Sequence, residues 1–232
     1  MQIFFAPEHS VDLLLEKRET KSVSPPGFAS NVLEKRFSIG VPQILALTSE
    51  YLKDDPQAAA SLSGDGSAAF DLVSLSCTFH LSKREPFDEA WVGVELQGKG
   101  DRQGTPIAWS MKPLHDLDAI DESGTVKLEA GLKLFSAVEP KLGIEFGDKG
   151  QRHEGFITAF GLQQTKPYWY FRKTSQRELE GSYRMALVIR RPKKMLVTGK
   201  ISAKATVRKT AALVFTYAAS IDAPSSVSFT LG

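Results

Sequence analysis

Phe70-Asp71-Leu72-Val73-Ser74-Leu75-Ser76-Cys77-Thr78-Phe79-His80-Leu81 is the stretch that decides the fold. Val73, Leu75, Cys77, Phe79 and Leu81 alternate with Ser74, Ser76, Thr78 and His80. A repeat of two puts the first set on one face of an extended strand and the second on the other. The spacing predicts a half-buried antiparallel strand. Working outward, alternation or enrichment in β-branched and aromatic residues recurs at 32–39, 91–97, 107–112, 126–135, 141–146, 156–162, 168–173, 182–190, 196–209 and 213–218.

Glycine- or proline-bearing strings at 64–66, 98–104, 147–150 and 191–194 lie between these runs and predict hairpin turns. Many short strands without interleaved amphipathic helices predict an all-β protein, an antiparallel β-sandwich or jelly-roll-like fold. One short helix is expected near residues 42–55, where Ile44, Leu45, Leu47, Tyr51 and Leu52 fall near helical spacing before Pro56 ends the pattern. The 232 residues suit a single β-rich domain. If the chain divides, it divides near 115–125, into an acidic half (1–120) and a sandwich half (121–232) that ends in a basic β-ribbon.

Hydrophobic residues make up 42% and charged residues 24%, which excludes the low-hydrophobicity, high-charge regime of disordered chains. A single cysteine, Cys77, rules out a disulfide framework within the chain and points to a reducing compartment. The opening residues lack the basic flank and long apolar run of a secretory signal. No stretch reaches the roughly 18 apolar residues of a membrane span. The expected location is cytoplasmic.

A formal net charge of +2 conceals strong segregation. Residues 163–232 carry thirteen lysines and arginines against Glu178, Glu180 and Asp222, a net of +10, which leaves −8 on residues 1–162. Segregated charge constrains encounter partners more than fold.

The four histidines, His9, His80, His115 and His153, show no metal-ligand spacing. Only His115, in His115-Asp116-Leu117-Asp118, is flanked by carboxylates on the same side of a strand or turn, so an enzyme would centre there. Cys77 sits on an apolar strand face, where a thiol packs as a small hydrophobe. Gly98 to Gly104 spaces as G-x-G-x-x-x-G, lacks the Gly-Lys-Ser/Thr of a phosphate loop and precedes a strand pattern instead of a helix. The acidic run at Asp116, Asp118, Asp121 and Glu122 lacks the glycine and glutamate spacing of a calcium loop. These readings assign no catalytic residue, no metal and no cofactor.

Tyr168-Trp169-Tyr170-Phe171, between Lys166-Pro167 and Arg172-Lys173, is the most distinctive string. Alternation sets Trp169 and Phe171 toward the core, with Tyr168 and Tyr170 opposite, where the tyrosines and Arg172 could stack on a base or sugar ring. In 196–209, Lys200, Lys204 and Arg208 share one face, opposite Ile201, Ala203, Ala205 and Val207. The preceding strand adds Arg184 and Arg190, joined through Arg191, Lys193 and Lys194, which predicts a two-stranded cationic ribbon. Cations about 5 Å apart across a strand ladder repel, so an anionic partner would relieve them. The candidate binding set is therefore Arg184, Arg190, Arg191, Lys193, Lys194, Lys200, Lys204 and Arg208, with Tyr168, Tyr170 and Arg172. The leading expectation is a non-catalytic interaction or assembly module that sets a basic sheet face against an acidic protein surface or another copy of itself. The alternatives are nucleic-acid binding by the ribbon and its tyrosines, and an enzyme centred on His115.

Overall fold

The computed structural model describes residues 10–12, 16–17, 36–52, 56–63, 67–80, 86–99, 104–120, 152–209, 213–219 and 227–232. The expected strands at 126–135 and 141–146 and the turns at 64–66 and 147–150 lie outside them, as does His9. In chain order the elements are β1 (Ser10–Asp12), β2 (Glu16–Lys17), β3 (Phe37–Gly40), β4 (Gln43–Ala46), α1 (Pro56–Ser63), β5 (Ala68–Phe79), β6 (Phe87–Lys99), β7 (Ile107–Lys112), β8 (His115–Ile120), β9 (Arg152–Phe160), β10 (Tyr168–Arg172), β11 (Gly181–Pro192), β12 (Leu196–Lys209), β13 (Leu213–Ala219) and β14 (Ser228–Leu231).

These strands form two antiparallel sheets packed face to face, an all-β sandwich with one short helix. In the first sheet β5 pairs with β11 from Gly181↔Phe79 to Pro192↔Ala68, and β7 flanks β11. On the other edge of β5, β3 and β4 lie end to end, and β1 pairs with β3. In the second sheet β12 and β6 form the centre. β10, β9 and β8 follow on the far side of β6, while β13 and β14 share the far edge of β12 and β2 pairs with β13.

Alternation explains how the core forms. Val73, Leu75, Cys77 and Phe79 of β5 and Met185, Leu187 and Ile189 of β11 face Ala90, Val92, Val94 and Leu96 of β6, Trp169 and Phe171 of β10, and Ile201, Ala203 and Ala205 of β12. Phe79 is the aromatic hub, with Phe37, Phe87, Phe171 and Tyr183 at centroid distances of 4.8, 5.3, 5.6 and 5.8 Å. Trp169 is fully buried and donates its indole N–H to the Pro113 carbonyl at 3.0 Å, so its one polar atom is satisfied.

Several expectations are corrected. β5 is not half-buried: Phe70 and Leu72 on its outer face pack with Val188 against Leu47, Leu52 and Ala58, and Ser74 and Ser76 are buried as well. The helix does not occupy 42–55. Residues 43–46 extend an edge of the first sheet, and Pro56 starts α1 instead of ending a helix, since its fixed φ suits the first helical position and the amide it lacks would have no partner there.

The third correction concerns the basic ribbon. β11 lies in the first sheet and β12 in the second, so the turn at 191–194 carries the chain from one sheet to the other and is no hairpin. The loop at 98–104 likewise joins β6 of the second sheet to β7 of the first. A glycine- or proline-bearing turn reverses the chain equally well within a sheet or between sheets, and only the partners of the flanking strands decide which.

Candidate binding face on the second sheet

The outer face of the second sheet is read directly from register. One row crosses the strands as Lys204 (β12), Trp91 (β6), Tyr170 (β10), Thr158 (β9) and His115 (β8). The next row is Ser202, Gly93, Tyr168 and Phe160. On one side of these rows Lys200 lies opposite Glu95, and on the other Thr206, Glu89 and Arg172 align. All project away from Val92, Val94, Trp169, Ile201 and Ala203, which fill the core.

Aromatic rings dominate the centre. Phe160 and Tyr168 stack at 5.0 Å with planes 17° apart, yet stay 43% and 36% exposed. Trp91 and Tyr170 are half-buried, 5.0 Å apart and tilted by 40°. Gly93 places no side chain between Tyr168 and Ser202.

Two carboxylates hold this face in order. Glu89 accepts the Tyr170 hydroxyl at 2.6 Å with one oxygen and the Thr206 hydroxyl at 3.3 Å with the other. Partial burial pushes the Tyr170 hydroxyl up to about 12, and the hydrogen bond to Glu89 and its charge add to the rise. Glu95 meets Lys166 at 2.8 Å. That hydrogen bond, more than the charge of Lys166 or of Lys200, keeps the Glu95 carboxyl below the usual range. Four cations, Lys166, Arg172, Lys200 and Lys204, stand around the rings, against these two acids and Asp88, whose charge also reaches Tyr170.

The predicted binding residues thus divide. Lys200, Lys204, Tyr168, Tyr170 and Arg172 come together on one face, with β6 between the lysines and the tyrosines. Arg184, Arg190, Arg191, Lys193 and Lys194 do not join them. Arg184, exposed, and Arg190, 5.9 Å from the Trp109 ring, lie on the outer side of the first sheet. Arg191 is buried, donating to Asp71 at 2.7 Å and to the Met195 carbonyl at 3.1 Å, so it is a structural cation. Lys193 and Lys194 form the exposed turn between the sheets. Arg208 lies outside the residues whose side chains are described.

Trp91, Phe160 and Lys166 are the members that sequence reasoning missed. Trp91 carried a signal, since it stands out of phase with Val92, Val94 and Leu96 in an alternating strand, which put a large aromatic on the solvent face. Nothing local showed that β9 and β10 would set Phe160 against Tyr168.

The other candidate chemistry resolves plainly. His115 is exposed, while the adjacent Asp116 points the opposite way and takes Arg177 at 3.1 Å. Arg177 in turn lies 3.7 Å over the Phe156 ring. Cys77 is fully buried, which pushes its thiol well above the usual range. Among the described residues no three histidine, cysteine or carboxylate groups gather to hold a metal, and no helix is long and apolar enough to cross a membrane. Comparison with models of known protein families and with characterised proteins finds no match.

Proposed function

We propose that the protein is a non-catalytic interaction module whose working surface is the outer face of the second sheet, presented to an anionic partner. One observation carries this reading: Lys200 and Lys204 stand on the same face as an exposed aromatic strip. Among the described residues no neighbouring element covers Phe160 and Tyr168, although rings of this size normally bury their area where they can. The cations beside it supply the attraction that brings an anion to the rings.

A paired charge reversal tests the reading. Lys200→Glu with Lys204→Glu should elute from an immobilised polyanion such as heparin at clearly lower salt than the parent. Lys193→Glu with Lys194→Glu, an equal change of charge in the turn between the sheets, should elute close to the parent. If the two pairs shift elution equally, the protein binds by net charge alone and this face has no special part.

A further inference from the structure

We infer that the anionic partner is single-stranded nucleic acid, running parallel to the β-strands beside β12, with its bases reaching over β6, β10 and β9 onto the aromatic strip and its phosphates toward Lys200, Lys204 and Arg172. The inference rests on the binding face proposed above and adds the ligand class. Charge alone does not choose among polyanions, so the rings must.

An acidic protein surface would answer the lysines but offers nothing in particular to Phe160, Tyr168 and Trp91. Duplex nucleic acid also answers the lysines, but its base faces are hidden in its own stack. It is read by elements that project into a groove, and this face is a broad sheet without a projecting helix or ribbon among the described residues. A single strand exposes both charge and ring faces. Proteins that hold one combine cations along its backbone with aromatic side chains under its bases.

The spacing agrees. Successive rows of the face lie two residues apart, about 6.8 Å along a strand. That is twice the ~3.4 Å rise per nucleotide of a stacked strand, so bases set on neighbouring rows are spread apart with room for a protein ring between them. Trp91 and Tyr170 serve one row and Phe160 and Tyr168 the next. The bare position at Gly93 opens the second row on the side of Tyr168 that faces away from Phe160. Glu89 fixes Tyr170 by its hydroxyl, and the Lys166–Glu95 pair marks one side of the platform. The two carboxylates also weaken attraction to phosphate that has no base to stack, which favours a ligand bearing rings.

Fluorescence anisotropy with a labelled oligothymidylate, the duplex of equal length and a polyglutamate peptide tests the inference on the full chain. The single strand should bind at least tenfold more tightly than either competitor. Its log affinity should fall with log salt at a slope of about −2, from roughly 0.7 for each of three phosphate contacts. Phe160→Ala and Tyr168→Ala should each weaken it at least about fivefold, the lower end of the cost of losing one stacked base. Each ring keeps part of its area in water, so either variant should lower the melting temperature by a few degrees at most and stay folded under the binding conditions. Tryptophan emission should be quenched on binding, and Trp91→Phe should remove most of that quenching. If all three polyanions bind alike and only Lys200→Glu with Lys204→Glu matters, the nucleic-acid inference is overturned while the anionic face stands. If polyglutamate binds best, the partner is an acidic protein surface. If none binds, the inference falls together with the reading beneath it.

Discussion

At the scale of single residues, Tyr168-Trp169-Tyr170-Phe171 shows how one strand serves two environments. Trp169 and Phe171 are fully buried, while Tyr168 and Tyr170 face outward, because successive side chains leave a strand in opposite directions. The two faces should therefore separate stability from binding. Trp169→Ala removes the largest buried side chain together with its bond to Pro113, and should lower unfolding free energy by about 3–5 kcal/mol in chemical denaturation. A Trp169→Ala protein that unfolds at the parent's denaturant midpoint would mean that the indole does not support the core. Sequence alternation made the direction of these four side chains legible. The companions of the tyrosines were not, because Phe160 and Trp91 reach them only through the pairing of β9 and β6 with β10.

Strands and connections show the same division between what is local and what is not. Residues 107–112 and 196–209 are strands over the full predicted lengths, and β6, β9, β10, β11 and β13 lie within a few residues of expectation. Alternation and β-branched content are written in each segment and need no partner to be read. Which sheet a strand joins is a long-range property, so the turns at 98–104 and 191–194 read as hairpins although both cross between sheets. β8, whose His-Asp-Leu-Asp start reads as an acidic turn, is held as a strand by β9. Cover is equally non-local, since the apolar spacing at 44–52 suits a helix but is satisfied by an edge strand and a turn over Phe70 and Leu72.

The loop after β9 is the element on which the two sheets most visibly depend together. Its Gln163 amide donates to the Ala108 carbonyl and its Gln164 carbonyl accepts from the Ala108 amide, on β7 of the first sheet, at 2.7 and 2.9 Å. Its Thr165 and Pro167 carbonyls accept from Leu96 and Val94 of β6 in the second, each at 2.9 Å. Gly161 begins this clasp at φ +81°, where a Cβ would also stand 2.8 Å from the Lys166 carbonyl oxygen. Gly161→Ala should thus cost at least about 1 kcal/mol, combining a left-handed backbone penalty with a clash against main chain. Thermal melting reads this, and amide exchange should show the loss at Ala108, Val94 and Leu96 first.

Over the whole molecule, charge separated along the sequence is partly rejoined in space. Arg191, Arg177 and Lys166 from the basic C-terminal third meet Asp71, Asp116 and Glu95 from the acidic remainder, and only the first of these pairs is buried. The expected repulsion between the cations of β11 and β12 does not arise as foreseen, because β11 faces β5 and β7 while Lys200 faces Glu95. The exposed Lys166–Glu95 pair should contribute under about 1 kcal/mol. Asp71 and Arg191 differ, since neither can return to water when its partner is lost. Arg191→Met should therefore cost about 3–5 kcal/mol by stranding a buried carboxylate, and Asp71→Leu a similar amount by stranding the guanidinium. Replacing both with apolar side chains of similar volume removes the two desolvation penalties along with the attraction, so Asp71→Leu with Arg191→Met should recover most of the loss. Chemical denaturation of the parent, both single variants and the double variant completes the cycle. Single losses that simply add in the double variant would mean the two groups act independently and that the ion pair does not join β5 to the start of the crossing between the sheets.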